Sequence, residues 1–208
     1  MGLVAPGGLA AWAVQHMARL MSKKTLCLFE VALKTAQLPV CEARLEVEYR
    51  LLDTAAWATQ PHTRHIMDRH LFQYRLDRGE EFWTVQRDNR IVSYCWATQD
   101  PVEIGEIRCT VKPRGDEIYL YDAFTFEEHR GRNLYPALLH NILKSSRDAG
   151  LRRALIFVMS DNTPSIRGVT KAGFAEFQRV TYATMFGFGR YTYEPRLSAE
   201  AGVDLVTN

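Results

Sequence analysis

The residues best suited to chemistry lie in two short stretches of the chain. The first is His129-Arg130-Gly131-Arg132-Asn133, which follows a run of strand character and opens a run of helix character. A helix start leaves backbone N–H groups unpaired at the positive end of the peptide dipoles, so it binds phosphate well. Arg130 and Arg132 add fixed positive charge, and Gly131 lets the backbone approach a ligand closely. Taken alone, the loop also reads as a solvated cap with surface arginines. The second stretch, Asp161-Asn162-Thr163-Pro164-Ser165, follows the apolar run ALIFVM and starts another helix, with a capping side chain ahead of proline. No GxxxxGK[ST] and no GxGxxG after the first strand occur, which removes support for a P-loop nucleotidase or a dinucleotide fold.

The surrounding pattern supplies elements to position these stretches. Leu9, Trp12, Ala13, His16, Met17 and Leu20 recur at helical spacing over 7–21, with Lys23-Lys24 as its end; TLCLFEVAL at 25–33 then reads as a short strand. Residues 1–44 are therefore expected to form an N-terminal helix–strand extension. Strand 45–52 follows, then one or two helices over 55–76 interrupted by Pro61, and a meander of strands at 81–86, 90–98, 106–112 and 117–126. A helix is expected over 132–149, with Pro136 in its first turn and Gly150 past its end. The run 154–159 reads as a strand covered on both faces. A helix from Asn162 closes at Lys171-Ala172-Gly173-Phe174, and strands at 178–186 and 190–193 flank Gly187-Phe188-Gly189. The fold class is α/β (α+β), a mixed sheet with helices packed on it. The expected domain spans 45–195, with a tail at 196–208.

Composition bounds the partners. The 208 residues are 47% hydrophobic and 24% charged, enough for a real core, and the net charge of +2 gives no dominant basic field for nucleic acid. Four scattered cysteines without a CxxC pair argue against a disulfide framework or structural zinc and for a reducing compartment. No run is long enough to span a membrane, and the apolar start lacks the basic residues of a secretory signal. The chain reads as soluble and cytoplasmic. His62, His65 and His70 lack the convergent acids or thiols of a metal site, so no metal is expected. Ser93, Ser160 and Ser165 lack a nucleophile-elbow setting.

Together, Arg130-Gly131-Arg132-Asn133-Leu134-Tyr135 and Asn162–Phe174 resemble the GNAT superfamily of acyl-CoA-dependent N-acyltransferases. Members carry a strand leading into Arg/Gln-x-x-Gly-x-Gly/Ala and, one strand later, an Asn-x-x-Ser/Ala helix ending in Lys-x-Gly-Phe. The motifs cover 117–174, and the compatible strand order extends the likeness to 45–193. The resemblance implies a mostly antiparallel central sheet flanked by helices, with acetyl-CoA or another acyl-CoA as co-substrate. It implies that backbone N–H groups of Arg130, Gly131, Arg132, Asn133, Leu134 and Tyr135 hold the pyrophosphate. Phe124, Thr125 and Phe126 would pair with the pantetheine arm, Asn162 would reach it from the opposite strand, and Ser165 and Arg167 would add contacts.

The sequence departs from the family at Asn133 and Tyr135, where small residues are usual, and at Val169, where many members place a tyrosine acid that protonates the leaving thiolate. An attacking amine must lose a proton, and a carboxylate suits that task. Asp122 is one candidate base, whose pKa burial would raise, and Glu117 on the same strand is the other. Asp122 reads equally as a structural aspartate, and Glu127 and Glu128 read as solvent-facing charges. Tyr119 and Tyr121 would line the acceptor side or pack as core. The expected activity is transfer of an acetyl or longer acyl group to a primary amine of a small metabolite or amino sugar. The alternative is a non-catalytic acyl-CoA sensor or scaffold. Many family members dimerise, which leaves a homodimer open.

Overall fold

The computed structural model describes residues 21–60, 68–186, 188–195 and 203–207. The helix expected over 7–21, apart from Met21, and the pair His62 and His65 lie outside these residues. In chain order the elements are β1 (Met21–Ala32), β2 (Glu48–Leu52), α1 (Thr54–Ala58), α2 (Arg69–Asp77), β3 (Glu81–Arg87), β4 (Arg90–Thr98), β5 (Val102–Ile104) and β6 (Cys109–Lys112). They continue with β7 (Glu117–Thr125), α3 (Leu134–Asp148), β8 (Arg153–Met159), α4 (Thr163–Lys171), β9 (Ala175–Met185), β10 (Phe188–Glu194) and β11 (Asp204–Thr207).

Eight strands form one sheet in the order β10-β9-β1-β8-β7-β4-β3-β2. Every neighbouring pair is antiparallel except β7 and β8. Strand periodicity sorts the side chains cleanly. Cys27, Phe29 and Val31 of β1, Ile118 and Leu120 of β7, and Ala154, Ile156 and Val158 of β8 face the core beneath α3 and α4. Their neighbours Leu26, Leu28, Tyr119 and Leu155 face the opposite core, covered by β5, β6 and the segment between them. Helices α1 and α2 close a third, aromatic core of Trp57, Phe72, Phe82, Tyr94 and Trp96.

Two features of β7 position the site. Its pairing with β8 ends at Leu120 and Ile156, although both strands continue, so the sheet splits beyond that point. Within the pairing to β4, Tyr94 faces Phe124 and Trp96 faces Tyr121, leaving Asp122 and Ala123 opposite the single residue Cys95. This bulge puts Asp122 at φ +46° and re-aims the end of β7.

The structure corrects several expectations. Strand β1 is no appendage: it lies inside the sheet, paired along one edge with β8 and along the other with β9. Leu28 and Cys27 are fully buried there, which explains why TLCLFEVAL is as apolar as ALIFVM. Lys23 and Lys24 sit within β1 as exposed residues rather than ending a helix. The strand expected at 106–112 is shorter, and it joins β5 and β11 in a separate three-stranded sheet instead of the main meander. The tail contributes to that sheet through the pairing of Asp204–Thr207 with β6.

Candidate functional site

Between the end of β7 and the first turns of α3 and α4 lies a cavity of about 870 Å³. Gly131 (φ +75°) and Asn133 (φ +61°) adopt left-handed backbone, which curls the loop before α3. Such loops aim N–H groups into an anion-binding concavity. The backbone N–H groups of residues 131–135 find no acceptor among the described residues. The Asn133 amide donates to the carbonyl of Glu42 at 2.5 Å, tying the loop to the chain ahead of β2. On the other wall Asn162 caps α4, its Oδ1 accepting the Ser165 N–H at 3.2 Å. Arg44, Arg130, Arg167 and Lys171 line this cavity, and among the described residues no carboxylate does.

Of the residues singled out for cofactor binding, Phe124, Thr125, Arg130, Gly131, Asn133, Leu134, Tyr135, Asn162, Ser165 and Arg167 border the cavity. Phe126 does not. Its ring belongs to the aromatic core, its N–H donates to Val92 O at 3.1 Å, and its carbonyl accepts the His129 N–H at 2.9 Å. Those backbone groups are therefore engaged within the protein and do not fit the pantetheine pairing expected of Phe126. Arg132 also falls outside the lining, with an exposed side chain and a carbonyl that accepts the Arg44 N–H at 2.9 Å. Arg44 carries no sequence signal for this site, and Lys171 was expected to close the helix rather than to line the cavity. Arg44 lies in no motif and reaches the loop only because the chain from β1 to β2 passes beside it.

A second cavity, about 480 Å³, opens on the other side of the split. Glu103, Glu106, Asp122 and Arg75 border it, together with Tyr119 and Tyr121, whose rings stack nearly parallel with centroids 5.7 Å apart. Asp122 differs from expectation. Its side chain is 38% exposed rather than buried, and it accepts from Arg75 Nη1 at 2.5 Å. Tyr121 donates to Glu80, and burial together with that carboxylate pushes its phenol above the usual range. Glu117 is not brought to the site. It is buried at the start of β7, 3.1 Å from Arg153 Nη1, and it accepts the Arg114 N–H at 3.0 Å. It lines neither cavity.

The two cavities share Ala123, Tyr135, Asn162 and Ser165. Tyr135, in the first turn of α3, lies across Gly168 of α4: a Cβ there would come 2.5 Å from the tyrosine Cδ1. Its hydroxyl is 3.4 Å from Ser165 Oγ. Val169, the position of the missing tyrosine, is completely buried in the core beneath α3 and α4 and presents nothing to the cleft. Among the described residues no three His, Cys, Asp or Glu side chains converge on a common point. Likewise, no helix among them is long and apolar enough to cross a membrane.

A sequence model of the acetyltransferase (GNAT) family matches residues 45–174. No curated protein matches the chain. Among solved structures, a GCN5-related N-acetyltransferase from Sphaerobacter thermophilus is similar, with a TM-score of 0.55 at 14% identity over 90% of this chain and 59% of that one. A GCN5-related N-acetyltransferase-like protein from Streptococcus suis gives 0.54 at 12% identity, over 84% of this chain and 66% of the other. An acetyltransferase from the GNAT family of Colwellia psychrerythraea gives 0.52 at 14% identity, covering 88% and 63%. This chain thus spans less than two thirds of the length of each, and at these identities the likeness is one of fold.

Proposed function

Because the chain belongs to the GNAT acetyltransferase family, we propose that it transfers an acetyl group from acetyl-CoA to a primary amine of a small metabolite or amino sugar, by direct attack in a ternary complex. The observation that carries this reading is the pair of oppositely lined cavities meeting where β7 and β8 part. A pyrophosphate suits the cationic side, with its unpaired N–H groups and helix starts. A cationic amine suits the side bordered by Glu103, Glu106 and Asp122. Most of the rate enhancement in such a site comes from orientation and from backbone N–H groups at the split polarising the thioester carbonyl.

Asp122 is the proposed base. Its carboxylate borders the acceptor cavity beside the junction, and the bulge that aims it there forces a left-handed backbone. It takes a proton from the bound ammonium, directly or through water, while Arg75 holds its orientation. All four cysteines are buried, unpaired thiols, which supports a reducing, cytoplasmic setting.

The test is calorimetric titration with CoA and acetyl-CoA, followed by thiol release from acetyl-CoA over a panel of primary amines. Saturable binding and amine-dependent thiol release are expected. Asp122→Asn should lower kcat by about 10²–10³-fold while CoA affinity changes little. Binding without transfer to any amine would favour an acyl-CoA sensor, and no binding would overturn the reading.

A further inference from the structure

We infer that the Tyr135 hydroxyl is the acid that protonates the departing CoA thiolate, so that α3 supplies a group that α4 does not. This rests on the acetyl-transfer reading above and adds a catalytic residue to it. An extended arm that starts on the loop at 130–135 and delivers its end to the acceptor cavity must cross the junction, and among the described residues the lining common to both cavities is Ala123, Tyr135, Asn162 and Ser165. The bond that breaks therefore lies among these four. Ala123 has no proton to give, the Asn162 amide is not acidic, and a serine hydroxyl is a far weaker acid than a phenol. Position 169 is closed to the task because its side chain is in the core.

The packing around Tyr135 has the form of a built position. The ring is seated on Gly168, the residue directly before Val169, in space that any side chain at 168 would fill. Ser165, one turn earlier on α4, stands 3.4 Å from the phenol oxygen. Burial pushes the phenol above its usual range, so it carries its proton at neutral pH.

The amine nitrogen forms a bond to the thioester carbonyl carbon, and the C–S bond breaks with its electron pair going to sulfur. The sulfur takes the Tyr135 proton and leaves as the thiol. The ammonium sheds its first proton by way of Asp122 before the attack, and the nitrogen loses a second proton to water as the C–S bond breaks, which leaves the neutral amide. The phenolate regains its proton from solvent through the Ser165 hydroxyl.

Tyr135→Phe keeps the ring on Gly168 and removes only the hydroxyl. Three measurements are compared in wild type and variant: CoA affinity by calorimetry, ionisation of the bound CoA thiol by thiolate absorbance against pH, and kcat and KM for acetyl-CoA with the best amine. Expected in the variant are CoA affinity within about threefold of wild type, a bound-thiol titration moved about one pH unit upward, and a kcat loss of about 10²-fold at similar KM. Gly168→Ala, which forces the ring from its seat, should reproduce the kcat loss, and the double variant should lose little more. CoA binding with thiol titration and kcat both unchanged in Tyr135→Phe would overturn the inference and leave the acetyl-transfer reading intact. Failure of the wild type to bind CoA would overturn both.

Discussion

Arg130 and Arg132 flank the same glycine, yet the fold gives them different surroundings. The Arg130 Nε donates to the Thr125 carbonyl at 3.1 Å, and its guanidinium lies 5.7 Å from the Phe124 ring, which folds the side chain along the cavity wall. Arg132 is exposed outside that wall and contributes a carbonyl to Arg44. Charge-assisted contacts to phosphate are strong only when positioned, and exposed charges are screened by salt. Arg130→Ala should therefore weaken CoA binding about tenfold, and Arg132→Ala less than about twofold, in calorimetric titrations at physiological salt. Equal losses would show that net loop charge, rather than placement, holds the ligand. The same contrast separates the two candidate carboxylates. Asp122 borders the second cavity, whereas Glu117, at the other end of the strand, is held by Arg153 and the Arg114 N–H.

Strand β1 shows how an element outside the family match becomes an interior strand of the sheet. Residues 45–174 carry the match, but the β8 edge that they expose is covered by Leu26–Ala32, and β9 pairs with the opposite edge of the same strand. An uncovered β8 would present unpaired backbone groups and a wide apolar face to water. A chain beginning at residue 45 should accordingly fail to show a cooperative thermal transition by calorimetry. Within the intact chain, Leu28→Ala should cost about 2–5 kcal/mol in urea unfolding, because Leu28 is completely buried. Cooperative unfolding of the shortened chain would return β1 to the status of an attachment. The segment after β1 ties the site to this strand, since Glu42 and Arg44 bond to the loop before α3.

Over the whole molecule, buried acids that must stay neutral set the response to alkali. Burial pushes the Cys109 thiol from 9.0 up to about 11, with Glu106 adding to the effect. The folded state then keeps a proton that the unfolded chain loses above about pH 9, so stability falls as pH rises through that window. The contribution is present in full below pH 9 and is lost by about pH 11. Tyr119 and Tyr135, also raised by burial, act in the same direction at higher pH. The melting temperature should hold level from pH 7 to 8.5 and decline from pH 9 to 11. Cys109→Ala should flatten that decline without removing it, as followed by circular dichroism. A decline of the same slope in the variant would place the alkaline response elsewhere.

The loops proposed to carry the chemistry were legible because each rests on local rules. A glycine at positive φ, an asparagine cap and a proline in the first turn mark where α3 and α4 begin, and ten of the twelve residues singled out for the cofactor border one cavity. Strand type was legible as well: alternation and apolar runs located β1, β7 and β8, and the cores confirm which faces they bury. What local pattern cannot specify is which distant edges meet. The place of β1 between β8 and β9, the removal of β5 and β6 to a second sheet, and the reach of Arg44 to the loop all depend on long-range pairing. The contrast between Asp122 and Glu117 is of the same kind, because it is made by a bulge opposite Cys95 and by an arginine from β8. The seating of Tyr135 on Gly168 follows from the packing of two helices 30 residues apart in sequence, where volume rather than motif determines the fit.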